Sequence, residues 1–559
     1  MGAKFITLRT ILTTLNAKYI HASLALRWLY VANKDAFDIG FKEYTIKEEI
    51  EAIGQDLLAT KCDCVGLGVY IWNIEKIKDL ISYLRLKKPD LILILGGPEV
   101  SYEPAYFLQQ LPIDYVISGE GEFVLGELLY ALENNKNISI NGVSSLREIS
   151  NAVARADIEK LVQLPSPYQL PEDIESRSKR LTYFETSRGC PYQCSYCLSS
   201  IEKGVRYFPE NYVKENLLYL IQNGAEQIKF LDRTFNLNWR KSRPVFDFLI
   251  ENYREGLSCQ FEIYPDLLSD EIIDYLHSRL PANYFRFEIG IQSTFEQSNK
   301  AVKRKQNFNT VSQNINKLVR GGKIDLHLDL IAGLPYESYE RFAQSVNSAF
   351  AFRAKEFQLG FLKLLRGTQL RKDAAKYNYL YQEQAPYEVI SHNDLSVDDL
   401  NKIRKVEKAI DKYWNSGRFA QSLKALFDIF YRNRYFEFFL ELAEHEEAEL
   451  PENHSLEDLY AFLYNFLTDR NIYLPDAMRN DYYSNFSIRP TTAFWADTIP
   501  KKERKRLLLQ ICADSDFLLK NKLTEYNILK QTTIDHLWGN KYLLTVFLPE
   551  GRKQMEVNG

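Results

Sequence analysis

Nowhere in the chain do roughly 18 apolar residues run together, and the start, MGAKFITLRTILTTLNAKY, has no apolar stretch followed by a small-residue cleavage site. A membrane span and a secretory leader are therefore not expected, and the chain reads as a cytoplasmic protein with no membrane partner. Glycine and proline are sparse, at 25 and 19 of 559 residues, which excludes a collagenous or largely disordered polymer. Charge of neither sign prevails: 70 Lys and Arg against 74 Asp and Glu leave −4, which argues against nucleic acid as the main partner. Lys501-Lys502-Glu503-Arg504-Lys505-Arg506 reads as a solvated helix turn. Cysteine is also scarce, and seven in a chain this long make no disulfide framework.

What is present is organised. At about 150 residues per domain, the length suggests three or four domains. In the first 140 residues apolar runs at Phe5–Leu15, Ile39–Ile46, Cys64–Ile71, Leu91–Leu95 and Tyr115–Ile117 alternate with amphipathic stretches at His21–Asn33, Lys47–Ala59 and Ile74–Leu86. Strands alternating with helices of this kind predict a doubly wound parallel sheet of five strands. The runs end in small or polar residues: Asn16, Gly66 and Gly68, Gly96-Gly97-Pro98, and Ser118-Gly119-Glu120-Gly121-Glu122. In such sheets ligands lie beyond the carboxyl ends of the strands. Residues 141–180, with Pro165-Ser166-Pro167 and Pro171, read as a linker or packed connector.

Over 181–370 the alternation resumes, with strands expected at Tyr183–Thr186, Gln227–Leu231, Cys259–Tyr264, Tyr284–Ile291, Ile324–Ile331 and Phe357–Lys363. Six such units suit a partial parallel (β/α)6 barrel. From 371 to 559 helical periodicity dominates, in Asp399–Tyr413, Leu423–Ala443 and Leu456–Leu467, with one further strand suggested near Tyr542–Phe547. The expectation is therefore an α/β chain with a mainly helical C-terminal domain.

Three of the seven cysteines fall in Cys190-Pro191-Tyr192-Gln193-Cys194-Ser195-Tyr196-Cys197, directly after a predicted strand. Thiolates so spaced can hold three corners of an iron–sulfur cube and leave one iron open. Zinc would want a fourth ligand, and no Cys or His follows closely. Cys62-Asp63-Cys64 has the wrong spacing for a second cluster and reads as ordinary, partly buried thiols.

The cysteine loop resembles the signature of the radical S-adenosylmethionine (SAM) superfamily, including the aromatic Tyr196 before the last cysteine. The doubly wound domain ahead of it resembles that of the cobalamin-binding subgroup. Phe230-Leu231-Asp232-Arg233, Glu288-Ile289-Gly290-Ile291-Gln292-Ser293 and His327-Leu328-Asp329-Leu330-Ile331-Ala332-Gly333-Leu334-Pro335 look like the subset with an uncharacterised helical C-terminal domain. The resemblance implies that Cys190, Cys194 and Cys197 hold a [4Fe-4S] cluster and that SAM chelates its open iron. Tyr196 then lies near the adenine, Asp232 meets the SAM amine, and Glu262, Gln292 and Ser293 meet ribose and carboxylate. His327 and Asp329 alternate along one strand face, toward either the site or its shell, and Arg366 is a candidate substrate or carboxylate contact from the general use of arginine for anions.

Cobalamin is implied against Asn16, Tyr70, Gly96, Gly97, Gly119, Glu120 and Gly121, with Tyr19, His21 and Trp72 as further strand-end candidates. The Asp-x-His-x-x-Gly loop of many cobalamin domains is absent. The implied chemistry is reductive cleavage of SAM to a 5′-deoxyadenosyl radical, with methyl transfer to an unactivated centre of an unknown small-molecule or peptide substrate. A reductant such as flavodoxin or ferredoxin would supply electrons. Cyclisation or rearrangement without methyl transfer, and RNA methylthiolation, are the alternatives within the superfamily. The last would need three cysteines in the first domain, which has two. A non-catalytic cobalamin or nucleotide sensor is the alternative outside it.

Overall fold

The computed structural model describes residues 7–201, 204–486 and 499–559. Phe5 and Ile6, at the head of the first apolar run, lie outside them. Two compact units are present: residues up to Ser345 together with Leu359–Leu400, and Val346–Gln358 together with Asn401–Gly559.

The first sheet comprises β1 (Thr10–Asn16), β2 (Ile39–Thr45), β3 (Cys64–Gly68), β4 (Ile92–Gly96), β5 (Tyr115–Ile117) and β6 (Val143–Ser144), in the order β2-β1-β3-β4-β5-β6. Five strands are parallel, and β6 pairs antiparallel with β5. Every residue of β1 is buried, as helices on both faces of a parallel sheet require. The sixth strand lies in the stretch read as a linker. Two residues are too short to show a period, and β6 is held by backbone bonds around it, Ser118 N to Gly142 O and Ala154 N to Ser118 O. Ile158, Leu161, Tyr168 and Leu170 are buried, so this connector is packed rather than loose.

The second sheet contains β7 (Thr182–Phe184), β10 (Gln227–Phe230), β11 (Ser258–Glu262), β12 (Phe285–Gln292), β13 (Asp325–Ala332) and β14 (Glu356–Phe361), in that spatial order. Between β7 and β10, β8 (Ser187–Arg188) and β9 (Arg206–Tyr207) form a small antiparallel pair. The pairings from β7 to β13 are parallel, the arrangement of a partial barrel. Along β12 and β13 buried and half-buried residues alternate. Phe285, Phe287, Ile289 and Ile291 face the helices, while Arg286, Glu288, Gly290 and Gln292 face the concave side, the period of two that a strand imposes. Phe230, Phe235, Phe246, Phe261, Phe285 and Phe287 form one aromatic cluster behind the sheet. Beyond the barrel, β15 (Leu380–Tyr381) and β16 (Val389–Ser391) form a small antiparallel hairpin, also in the first unit, although residues from 371 onward were grouped with the C-terminal domain on the sequence.

The second unit is mainly helical, with two departures from expectation. Leu423–Ala443 is two helices, Ala420–Ile429 and Tyr435–Glu449, separated at Asn433, whose φ of 58° is a left-handed conformation that asparagine tolerates. The chain also ends in a three-stranded antiparallel sheet of β17 (Thr532–Trp538), β18 (Lys541–Leu548) and β19 (Gly551–Asn558). Only the buried middle of β18 had an apolar signature. Among the described residues, no helix is long and apolar enough to cross a membrane.

Candidate functional site

The cysteine loop leaves the sheet immediately after β8. Gly189 turns it with φ at +95°, and a Cβ there would collide with the Gly204 carbonyl, so the first cysteine can follow only a glycine. Inside the loop the Cys197 N–H bonds the Cys194 carbonyl at 3.0 Å, and the Ser195 N–H bonds the Val302 carbonyl at 2.9 Å. The start of the loop is pinned by Asp232, which is 2% exposed. Its carboxylate accepts from Thr186 N at 2.9 Å, Thr186 Oγ1 at 2.6 Å and Ser187 Oγ at 2.5 Å. Burial pushes this acid up to about 6, against those three hydrogen bonds. Asp232 is therefore engaged in holding the loop and is not among the residues facing the cysteine cavity, where the resemblance had placed it.

Cys190, Cys194 and Cys197 line one cavity of about 270 Å³ with Tyr196, Glu262 and Gln292. Burial, opposed in part by hydrogen bonding, holds the Cys190 thiol above its usual range. Burial does the same to Cys194, so a metal is what would draw these thiols into the thiolate form. Among the described residues, no three ligating side chains converge as a single ion would need. Three soft donors around a shared cavity instead suit a polynuclear iron–sulfur core.

The rest of the cavity is polar and of both signs. Arg233 approaches Glu262 at 3.6 Å, and Asp329 pairs with His327 Nε2 at 2.9 Å. Burial raises the Glu262 carboxyl above its ordinary value, with Arg233 opposing. Gln292 stands at φ 65° on a register shift between β12 and β13, and its buried Oε1 has no hydrogen-bond partner. A Cβ on Gly290 would collide with the Gln292 amide, so glycine there makes room for it. Ser293 turns away: it is fully buried and donates to Glu337 at 2.7 Å instead of facing the cavity. Arg304, which the sequence reading missed, lines the cavity, donates to the Gly290 carbonyl and lies 5.2 Å over the Tyr264 ring. No motif pointed to it.

A second, larger cavity of about 340 Å³ lies beyond the carboxyl ends of the first sheet. Gly96, Gly97, Gly119, Glu120, Gly121 and Tyr70 line it, over an apolar floor that includes Leu12, Leu67, Ile94 and Ile117. Two of these glycines are demanded by the backbone. Gly97 has φ at +109° with the Val69 carbonyl 2.5 Å from a built Cβ, and Gly119 has φ at +90° against Ala154. Gly96 is different: its φ is ordinary and nothing comes nearer than 3.9 Å, so its missing side chain leaves cavity space and nothing else. An apolar seat kept open by glycine is what a buried macrocycle and its tail would fill. Asn16 is not part of it; its amide donates to the His21 carbonyl and to Glu43, both at 3.0 Å. His21 meets Tyr183 at 2.8 Å, and Tyr19 is exposed. Trp72 stacks on Tyr70 at 4.4 Å. Arg366 is committed to Glu103 and Tyr387, and Cys62 and Cys64 are fully rather than partly buried.

One ion network ties the cavity beyond the first sheet to the strand β8 that leads into the cysteine loop. Arg188, two residues before the first cysteine, bonds Glu185 at 2.7 Å, Glu122 at 2.7 Å and Glu120 at 3.2 Å. Arg206 also holds Glu120, and Trp28 Nε1 donates to Glu185 at 2.7 Å. Burial raises Glu122 despite Arg188, whereas for Glu120 burial is outweighed by Arg206 and Arg188, and its acid falls.

Comparison with known proteins agrees with this architecture. Residues 6–129 match the B12 binding domain, 184–349 the Radical SAM superfamily, and 375–542 a protein family of unknown function, DUF4080. The chain thus carries a B12-binding domain ahead of a Radical SAM domain, and the cofactors of that combination are SAM, a [4Fe-4S] cluster and cobalamin. It is 25% identical over 305 residues to the cobalamin-dependent radical SAM methyltransferase TokK of Streptomyces tokunonensis, covering 51% of this chain and 44% of that one. It is 26% identical over 306 residues to the uncharacterized methyltransferase PH0819 of Pyrococcus horikoshii, covering 52% and 64%. The chain thus spans less than two thirds of either relative. The cobalamin-dependent SAM radical enzyme OxsB, solved with aqua-cobalamin bound, shares the fold at a TM-score of 0.60 and 17% identity, over 93% of this chain and 82% of that one.

Proposed function

We propose that the protein is a cobalamin-dependent radical SAM methyltransferase acting on an unactivated centre of a small-molecule or peptide substrate. The observation that carries this reading is the pair of cavities, one ringed by three cysteines and one cradled by strand-end glycines, with Arg188, two residues before the first cysteine, lining the second. When bound, the cluster and SAM supply one-electron bond cleavage, and cobalamin supplies a transferable methyl group.

In this reading Cys190, Cys194 and Cys197 are the cluster ligands, and Asp232 fixes their loop without touching the cofactor. Arg233 and Arg304 offer cations to a carboxylate, while Glu262 and Asp329 accept from an amine or from hydroxyls. Gln292 Oε1, left without a partner, accepts one further hydrogen bond from the occupant. Tyr196 shields one wall. In the second cavity the backbone of Gly96, Gly97, Gly119 and Gly121 allows close approach, and Tyr70 closes the apolar seat.

The test is anaerobic reconstitution with iron, sulfide and corrinoid quantitation, followed by turnover with methyl-labelled SAM. Cys190→Ala, Cys194→Ala and Cys197→Ala should each lose the bulk of the iron; full iron content would refute the ligand assignment. Label in the product supports methyl transfer. SAM cleavage with a bound corrinoid but no label would instead mark a cyclase or rearrangement enzyme.

A further inference from the structure

A small cavity lies where the connector meets the first strand of the barrel. It holds about 40 Å³ and is walled by Leu24 and Arg27 of the helix Leu24–Asn33, by Tyr168, Arg177 and Arg180 of the connector, and by Thr182 of β7. It shares Leu24 with the cavity beyond the first sheet and, among the described residues, none with the cysteine cavity.

Three arginines border it, and two are committed. Arg27 donates through Nε and Nη2 to Asp173 at 2.6 and 2.5 Å, and through Nη2 to Glu43 at 3.0 Å. Arg180 donates through Nη1 to Glu43 at 3.0 Å and through its other nitrogens to the Tyr19 and His21 carbonyls. Burial of Glu43 is outweighed by Arg27 and Arg180, and its acid falls below the usual range. Arg177 is different. It is 4% exposed, its Nη2 donates to the Tyr168 carbonyl at 3.0 Å, and its guanidinium lies 5.1 Å over the Tyr219 ring. Among the described residues its Nη1 has no hydrogen-bond partner and no carboxylate pairs with it. Three permanent cations thus meet two carboxylates, Glu43 and Asp173. The excess charge sits on a buried group, which is costly unless an anion joins it.

Size and chemistry narrow the ligand. One water needs about 10–15 Å³, so the cavity excludes a nucleotide or a sugar phosphate. Asp173, the carboxylate on its wall, is held by Arg27 and repels a multiply charged guest. The donors left over are Arg177 Nη1 and the Thr182 hydroxyl, which makes no hydrogen bond among the described residues. So few donors cannot satisfy the four oxygens of a buried phosphate. They suffice for a single-atom anion, with Leu24, Leu181 and Leu220 completing the wall.

We propose that this cavity binds one chloride ion, which neutralises Arg177 and clamps the connector to the helix Leu24–Asn33 and to β7. Chloride then stabilises the folded first unit by mass action, so that stability follows the anion itself and not merely the ionic strength.

Full-length, cluster-reconstituted protein is exchanged anaerobically into sodium gluconate, whose anion is too large to enter, and titrated with sodium chloride at constant ionic strength while melting is followed. The apparent melting temperature of the wild type should rise saturably, by about 2 °C or more. Arg177→Met, which keeps an apolar stem against Tyr219, should lose that rise. Arg240→Met removes an exposed cation from the helix Trp239–Glu251 of the same unit and should keep it. Crystals of the wild type grown with bromide in place of chloride should show an anomalous-scattering peak beside Arg177, a readout that needs no variant to fold. No saturable rise in the wild type, an equal rise in Arg177→Met, or a bromide map without that peak overturns the proposal. So does a larger rise with phosphate than with chloride.

Discussion

Glu337 shows how a single residue outside the cavity can govern one inside it. It is fully buried, its Oε1 accepts from Ser293 and Ser345 at 2.7 Å each, and its Oε2 has no hydrogen-bond partner. Through Ser293 it braces the strained bend that aims Gln292 inward. Burial raises this acid from 4.5 to about 7, the two serine bonds opposing. The folded state therefore holds the proton more tightly than the unfolded chain does. The associated stability is complete below pH 4.5 and is lost as pH climbs through 7, by about 3 kcal/mol. Glu337→Gln should flatten the fall in melting temperature that the wild type shows between pH 5 and pH 8; an unchanged slope would remove Glu337 as its source. Residues of this kind were not legible beforehand. The Gly333-Leu334-Pro335 segment drew attention to the loop, but nothing in the sequence said that the glutamate two residues on would reach back to Ser293. The cysteines were legible because their chemistry lies in their spacing, whereas Arg304 and Glu337 matter only through contacts made across the barrel.

At the level of the element, strand alternation in the sequence foretold both parallel sheets, because buried strands with helices between them leave a long, regular hydrophobic signal. It failed where that signal is short or one-sided. β6 has two residues, and β19, GRKQMEVN, is mostly polar with half-buried or exposed positions throughout. The strand ends divide more finely than the sequence could. Gly96→Leu should leave folding nearly intact, because the backbone is unstrained and the neighbours are distant, yet abolish corrinoid uptake by filling the seat. Gly97→Ala should instead cost about 1–3 kcal/mol in denaturant unfolding, since it places a side chain at positive φ against the Val69 carbonyl. If both variants lost stability equally, the open space at Gly96 would not be a ligand seat. In the second unit, Phe427 packs against Phe350, Tyr435, Phe438 and Phe439. Phe427→Ala should destabilise that unit by about 3–5 kcal/mol while leaving iron and corrinoid content unaltered.

Across the whole molecule, the cavity beyond the first sheet and the strand that leads into the cysteine loop are held by a single buried cation. Arg188 is 11% exposed at its side chain, and Glu122 and Glu185 are 8% and 10% exposed. Removing the cation strands those carboxylates away from water, so Arg188→Met should destabilise the first unit by about 3 kcal/mol or more. Adding Glu122→Gln should restore part of that loss, and a double variant no better than the single one would show that the pairing carries no coupling energy. The same geometry constrains how such a chain can change over time. A substitution at position 188 is tolerable only alongside compensating changes at 120, 122 and 185, so in any lineage carrying this architecture these four sites should vary together, binding the history of the cysteine loop to that of a turn in another domain.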